Sequence, residues 1–290
     1  MRRAEPTAAE RRRLAPLAAA LARARAPGPP RVELVAGTLA PGRRHGLLAG
    51  TFNPFTRAHA ALAVAGRRAG CERVVLAMTP ASLDKEAVER AHPVDRLDWV
   101  RAWAGRHRWA AVAVSSHPLL VDMAEALGSL ARGEVALLLG TDKAAQLADA
   151  RYYDDLEAAL ARLAGAATLL VADRAGHPVH EHGPPAATPP TTATPPTTAR
   201  LPTAAWVPAR SATEARAVAA RGGDLGPLVP AAVARAIRRT GAYDDDPSAY
   251  LARARWLDTL ASGTGAVENG ASLARGGRTT TSLEEPNGRA

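Results

Sequence analysis

Residues His45–Leu62 read HGLLAGTFNPFTRAHAAL. The apolar run Gly46-Leu47-Leu48-Ala49 has the length and content of a buried strand. Gly50-Thr51-Phe52-Asn53-Pro54 then turns the chain, and a helix starting near Thr56 carries His59 in its first turn. A strand, a tight turn and a helix N-terminus form a natural phosphate site, because free backbone N–H groups and the positive end of the helix dipole converge on the turn.

Downstream the same alternation repeats. Strands are expected at Arg73–Met78, Ala110–Ser115, Glu134–Gly140 and Ala167–Ala172, with helices from about Pro93 to Ala104, Val121 to Ala131, Lys143 to Asp149 and Asp154 to Leu163. Near-continuous apolar strands separated by helices predict an α/β fold: a doubly wound, Rossmann-like parallel sheet with helices on both faces. Ligands of such sheets bind beyond the carboxyl ends of the strands, where Gly50, Pro80, Ser116, Thr141 and Arg174 fall. Upstream, Thr7-Ala8-Ala9-Glu10 is a capping box that opens a helix to about Arg25, expected at the periphery, and Arg31–Val35 alternates like an edge strand.

Residues 183–200, GPPAATPPTTATPPTTAR, are low-complexity Pro/Thr sequence and predict an extended loop within the domain. Trp206-Val207 suggests a last short strand. Three helices complete the reading as a small C-terminal helical extension: Ser211 to about Arg221, after Leu228-Val229-Pro230 to Arg239, and from Asp246-Pro247 to about Ala261. The expected organisation is therefore a basic N-terminal arm and helix over 1–45, a domain over 46–262, and a disordered tail over 263–290.

The formal net charge is +9, and residues 1–45 hold ten arginines against three glutamates, so most of the excess lies in that arm. A solvated helix face accounts for it better than a nucleic-acid partner. Cys71 is the only cysteine, which excludes a disulfide framework or a cysteine metal cluster and fits a cytoplasmic protein. Neither a signal peptide nor an apolar run of membrane-spanning length is expected.

Thr56 and His59 share one face of their helix, three residues apart, where a histidine can donate to phosphate oxygens and stabilise charge on a leaving group. A plain capping role for Asn53 or Thr56 is the competing reading. Ser211-Ala212-Thr213-Glu214 is a capping box, and with Arg216 one turn in it also suits a second phosphate clamp. Asp142, in Gly140-Thr141-Asp142, offers carboxylate oxygens to ligand hydroxyls or serves as an N-cap. Lys85, in the loop after the second strand, is either a solvated charge or placed for a phosphate, whereas Arg96 reads as a structural or surface charge. His177, His180 and His182 lack the spacing of a metal site, so no protein-bound metal is expected. There is no P-loop motif and no Gly-x-Gly-x-x-Gly at the first turn.

Gly50-Thr51-Phe52-Asn53-Pro54-Phe55-Thr56-Arg57-Ala58-His59 resembles the signature of the cytidylyltransferase-like nucleotidyltransferases, Gly-Thr/Ser-Phe-Asp/Asn-Pro-x-His/Thr-x-Gly-His. Arg210–Arg216 is similar to that superfamily's Ile-Ser-Ser-Thr-x-x-Arg, and Gly140-Thr141-Asp142 to its Gly-x-Asp. Leu228-Val229-Pro230, Val233, Ile237 and Gly241-Ala242-Tyr243 resemble the ending of nicotinate/nicotinamide mononucleotide adenylyltransferases. The likeness spans about Gly46 to Tyr243. Thr56 and Ala58 depart from the usual His and Gly, and Arg151-Tyr152-Tyr153 stands where a Trp is common. The resemblance implies transfer of AMP from ATP, with Mg²⁺, to the phosphate of a mononucleotide, releasing pyrophosphate. It implies His59, Thr56 and Arg216 as catalytic residues, Gly50, Thr51, Phe52, Asn53, Asp142, Ser211 and Thr213 as nucleotide-binding residues, and Lys85 as an acceptor-binding one. Phosphopantetheine as acceptor, CTP as donor, and a non-catalytic nucleotide-binding regulator on the same fold are the alternatives.

Overall fold

The computed structural model describes residues 6–79, 91–172, 196–201 and 211–271, without the side chains of Asp142 and 262–271. Seven strands form one sheet in the order β1-β4-β3-β2-β5-β6-β7. They are β1 Val32–Ala36, β2 His45–Gly50, β3 Arg73–Met78, β4 Ala110–Ser115, β5 Val135–Gly140, β6 Thr168–Ala172 and β7 Thr198–Arg200. All pairings are parallel except that of β1 with β4. The helices are α1 Ala8–Arg25, α2 Arg57–Arg68, α3 Pro93–Ala104, α4 Leu120–Ala131, α5 Thr141–Gln146, α6 Leu156–Ala166, α7 Ala212–Ala220, α8 Ala231–Thr240 and α9 Ser248–Ala271.

Alternate strand residues feed two cores. Leu48, Val74, Leu76, Met78, Val112, Val114 and Leu138 face α1, α2, α3, α7, α8 and α9. Leu47, Val75, Ala77, Ala113, Leu137 and Leu139 face α4 and α6. Burial on both faces is why these strands read as unbroken apolar runs. In α2, a Cβ on Gly66 would overlap the Leu138 side chain, so the glycine lets this helix lie close over β5.

Strand order reverses at β2. Its ladder with β3 runs the full six residues, from His45↔Arg73 to Gly50↔Met78. Its ladder with β5 stops at Leu47↔Leu137. A crevice therefore opens between the carboxyl ends of β2 and β5, where open α/β sheets take their ligands.

Three expectations need correction. The helix expected at the periphery is part of the core: Leu14, Leu17, Ala18 and Leu21 of α1 are buried against the sheet's helical layer. They lie at i, i+3, i+4 and i+7, an amphipathic stripe that the arginine count obscures. Those arginines are largely engaged: Arg13 pairs with Asp98, Arg23 with Glu33, and Arg11 lies over Trp256. The Pro/Thr stretch ends in a strand, because Thr198–Arg200 form β7 against β6. The last helix extends past Ala261 to Ala271, into the stretch expected to be tail. Trp206-Val207 and residues 183–195 lie outside the described residues.

Leu17→Ala should destabilise the fold by about 2–5 kcal/mol. A helix merely resting on the surface would lose well under 1 kcal/mol, a difference that urea unfolding resolves.

Candidate functional site

The turn after β2 is built on aromatic packing. Phe52 takes a positive φ of 45°, and the Asn53–Pro54 peptide is cis. The Phe52 and Phe55 rings are buried and meet edge to face at 5.4 Å. His59 stacks on Phe55 at 5.6 Å and takes the edge of Phe52 at 5.3 Å. A Cβ on Gly50 would stand 3.2 Å from the Phe52 ring, so a bare glycine fits here best.

Thr56 is the N-cap of α2 and is buried. Its backbone N–H donates to His59 Nδ1 at 3.0 Å, and its Oγ1 lies 2.9 Å from the same nitrogen. The His59 N–H closes the capping box on Thr56 Oγ1 at 3.4 Å. Because Nδ1 accepts, the ring proton sits on Nε2, and the imidazole presents Nε2–H as a donor. Burial pulls the His59 pKa down to about 4, so the ring is neutral at pH 7. The Thr56 hydroxyl is thus spent on orienting His59.

The free N–H groups expected at the start of α2 are fewer than the bare helix would have. Arg57 N–H donates to Leu228 O at 2.9 Å, and His59 N–H to its cap. Ala58 N–H meets no partner among the described residues. The small residue in the usual glycine place therefore carries the open backbone donor of this first turn.

The distant segment comes back onto the same turn. Ser211 caps α7 by accepting from Glu214 N–H at 3.1 Å. Arg216 donates from Nη1 to Asn53 O at 2.8 Å and from Nη2 to Thr213 Oγ1 at 3.1 Å. Tyr243, at the end of α8's segment, donates to Asn53 Oδ1 at 2.6 Å. Arg57 Nε donates to Gly226 O at 2.6 Å. The two motifs are physically joined, with Asn53 as the joint.

Asp142 lies in the first turn of α5, one strand away at the end of β5. Lys85 and the three clustered histidines lie outside the described residues. Among the described residues, no group of three or more His, Cys, Asp or Glu is placed to hold a metal ion. No helix there is long and apolar enough to cross a membrane.

Two further contributors lie outside the residues that the motifs single out as site residues. Tyr243 fixes Asn53 across 190 residues of chain, and its only sequence signal is the Gly241-Ala242-Tyr243 ending. Arg96, read as a structural or surface charge, is fully buried under the turn, where Nη1 donates to Thr51 O at 2.8 Å. Desolvation lowers its pKa to about 10, so it remains a cation at pH 7.

No protein-family model matches the sequence, and no curated protein matches it significantly. Solved structures do match. A Plasmodium falciparum nicotinic acid mononucleotide adenylyltransferase in complex with NaAD aligns with a TM-score of 0.51 at 13% identity. The alignment covers 69% of this chain and 97% of that one. The same enzyme in complex with APC aligns over the same shares at a TM-score of 0.49 and 13% identity. The first of these likenesses shows that the two chains share a fold, the one implied by the motifs.

Proposed function

We propose that the chain is an adenylyltransferase that joins the AMP moiety of ATP to the phosphate of nicotinate or nicotinamide mononucleotide, releasing pyrophosphate. The observation that carries this reading is that His59, with Nδ1 held by Thr56 so that Nε2–H is left as its donor, and the open Ala58 N–H belong to one helix turn, next to Asn53, which Arg216 braces from a second helix. These donors suit the oxygens of a triphosphate and the charge that grows on departing pyrophosphate.

In the proposed reaction an acceptor phosphate oxygen attacks the α-phosphorus of ATP in line. The bond from α-phosphorus to bridging oxygen breaks, and its electron pair leaves with pyrophosphate. No covalent enzyme intermediate forms. The protein acts by positioning and by electrostatics. His59 and Ala58 face the triphosphate, Arg216 with Thr213 and Ser211 holds the β/γ end, and Asp142 takes the ribose. Lys85 is assigned to the acceptor phosphate. The turn offers no carboxylate, and Asn53 Oδ1 is bonded to Tyr243. Mg²⁺ therefore fits here as the counter-ion of the phosphates, where it neutralises their charge, rather than in a protein-built cage.

The test is a pyrophosphate-release screen of ATP and CTP against nicotinate mononucleotide, nicotinamide mononucleotide and phosphopantetheine. Release with ATP and a mononucleotide is expected. Release only with phosphopantetheine or CTP would move the assignment to another acceptor or donor, as Thr56 in place of a second histidine suggests. ATP binding with no release for any acceptor would make the chain a nucleotide-binding regulator.

A further inference from the structure

Arg96 is a buried cation without a counter-ion among the described residues. Its side chain has no exposed surface, and its Nε and Nη2 groups are enclosed without a hydrogen-bond partner. The nearby carboxylates are committed elsewhere. Asp95 accepts from Tyr250 and Arg253, and Asp98 is paired with Arg13 and Arg101. Arg25, also positive, adds repulsion. An uncompensated charge in such a place is strongly destabilising, and a protein carries that cost most readily where the charge is used.

The one bond Arg96 makes indicates the use. It donates to Thr51 O, and Thr51 C=O belongs to the same peptide group as Phe52 N–H. In a trans peptide the two bonds point in opposite directions. Tying the carbonyl down to Arg96 therefore turns Phe52 N–H away from the buried guanidinium. This N–H has no acceptor among the described residues. The positive φ of Phe52 belongs to the same local arrangement.

We infer that Arg96 is a positioning residue: through the Thr51–Phe52 peptide it presents Phe52 N–H, backed by its own charge, to an anionic polyphosphate in the turn, and that ligand is its counter-charge. The inference rests on the nucleotide reading given above. Polarisation along the hydrogen-bonded peptide makes the N–H a stronger donor than an isolated amide, and the dry surroundings leave the charge poorly screened.

Tripolyphosphate binding by the full-length chain, measured by calorimetry and by the ligand-induced rise in melting temperature, tests this. Arg96→Met removes the charge at similar volume. Without ligand it should melt no lower than wild type, since it relieves a buried cation that has no counter-ion among the described residues. Its affinity for tripolyphosphate should fall by at least about tenfold, the order of loss for a charge-stabilising group, and the ligand-induced shift should shrink with it. Arg96→Lys keeps the charge and should bind several-fold more tightly than Arg96→Met. A marked fall in the ligand-free melting temperature of Arg96→Met would mean that the cation is compensated within the protein, and would overturn the inference. Equal affinity of wild type and Arg96→Met, or equal loss in the Met and Lys variants, would also overturn it. If wild type bound neither tripolyphosphate nor ATP, the nucleotide reading itself would fall; binding by wild type with no effect of Arg96→Met removes only the role of Arg96.

Discussion

His59→Ala should lower turnover by roughly 10²-fold or more, with a smaller change in KM for ATP, as expected when a donor acting on transition-state charge is removed. The geometry makes this residue hard to replace. Its ring is held between Phe52 and Phe55, its Nδ1 is fixed by Thr56 N–H, and only Nε2–H remains to act. The pH profile should carry the same signature. With a pKa near 4 the ring stays neutral far below the usual histidine range. Wild-type turnover should therefore show no step near pH 6.5 from His59; a step from this ring should come only near 4, where protonation of Nδ1 breaks the bond that Thr56 N–H donates and frees the ring. The sign is the same for stability: the unfolded chain binds this proton near 6.5 and the folded chain only near 4, so stability falls as pH drops through that interval. A mutant with a native circular dichroism spectrum and wild-type turnover would remove His59 from the chemistry.

Arg216→Ala should cost about 10²-fold in kcat/KM, the size of loss expected when a charged hydrogen-bonding group is truncated. Two losses combine. The charge proposed for the β/γ end disappears, and so does the brace between Asn53 O and Thr213 Oγ1. Arg216→Lys separates them. An ammonium keeps the charge but cannot span both oxygens as the planar fork does. Lysine should recover the part due to charge and leave the part due to geometry, which appears in kcat rather than in KM. Full activity in Arg216→Ala would reduce the second motif to a helix cap, the role Ser211 already fills.

Where the sequence was legible, a repeating apolar signal was at work. β3, β4 and α3 fall at the expected residues because strands buried on two faces and a helix that starts with His92-Pro93 announce themselves locally. The site was legible where residues act within one turn of each other, as Thr56 and His59 do. It was not legible where partners meet from far apart. Nothing near Asn53 indicates Tyr243, and an arginine such as Arg96 is ordinarily assigned to the surface because burying one is costly. The composition of α3 does carry a warning, since Val94, Leu97, Trp99, Val100 and Trp103 leave that helix little exposed face. β7 had no signal of its own: Thr-Ala-Arg becomes a strand because β6 offers it an edge.

The helix α1 bears on how the molecule is made. Its Glu10 is joined to Arg253 of α9 across 243 positions, and Arg253 also holds Asp95 of α3. During synthesis α1 emerges before the sheet, whereas its partner α9 is translated after it. Until then the apolar stripe of Leu14, Leu17 and Leu21 lacks part of its cover. Contacts of such long sequence separation form late, and they leave a nascent chain exposed to aggregation. Chaperone dependence should therefore centre on the interval between synthesis of α1 and synthesis of α9.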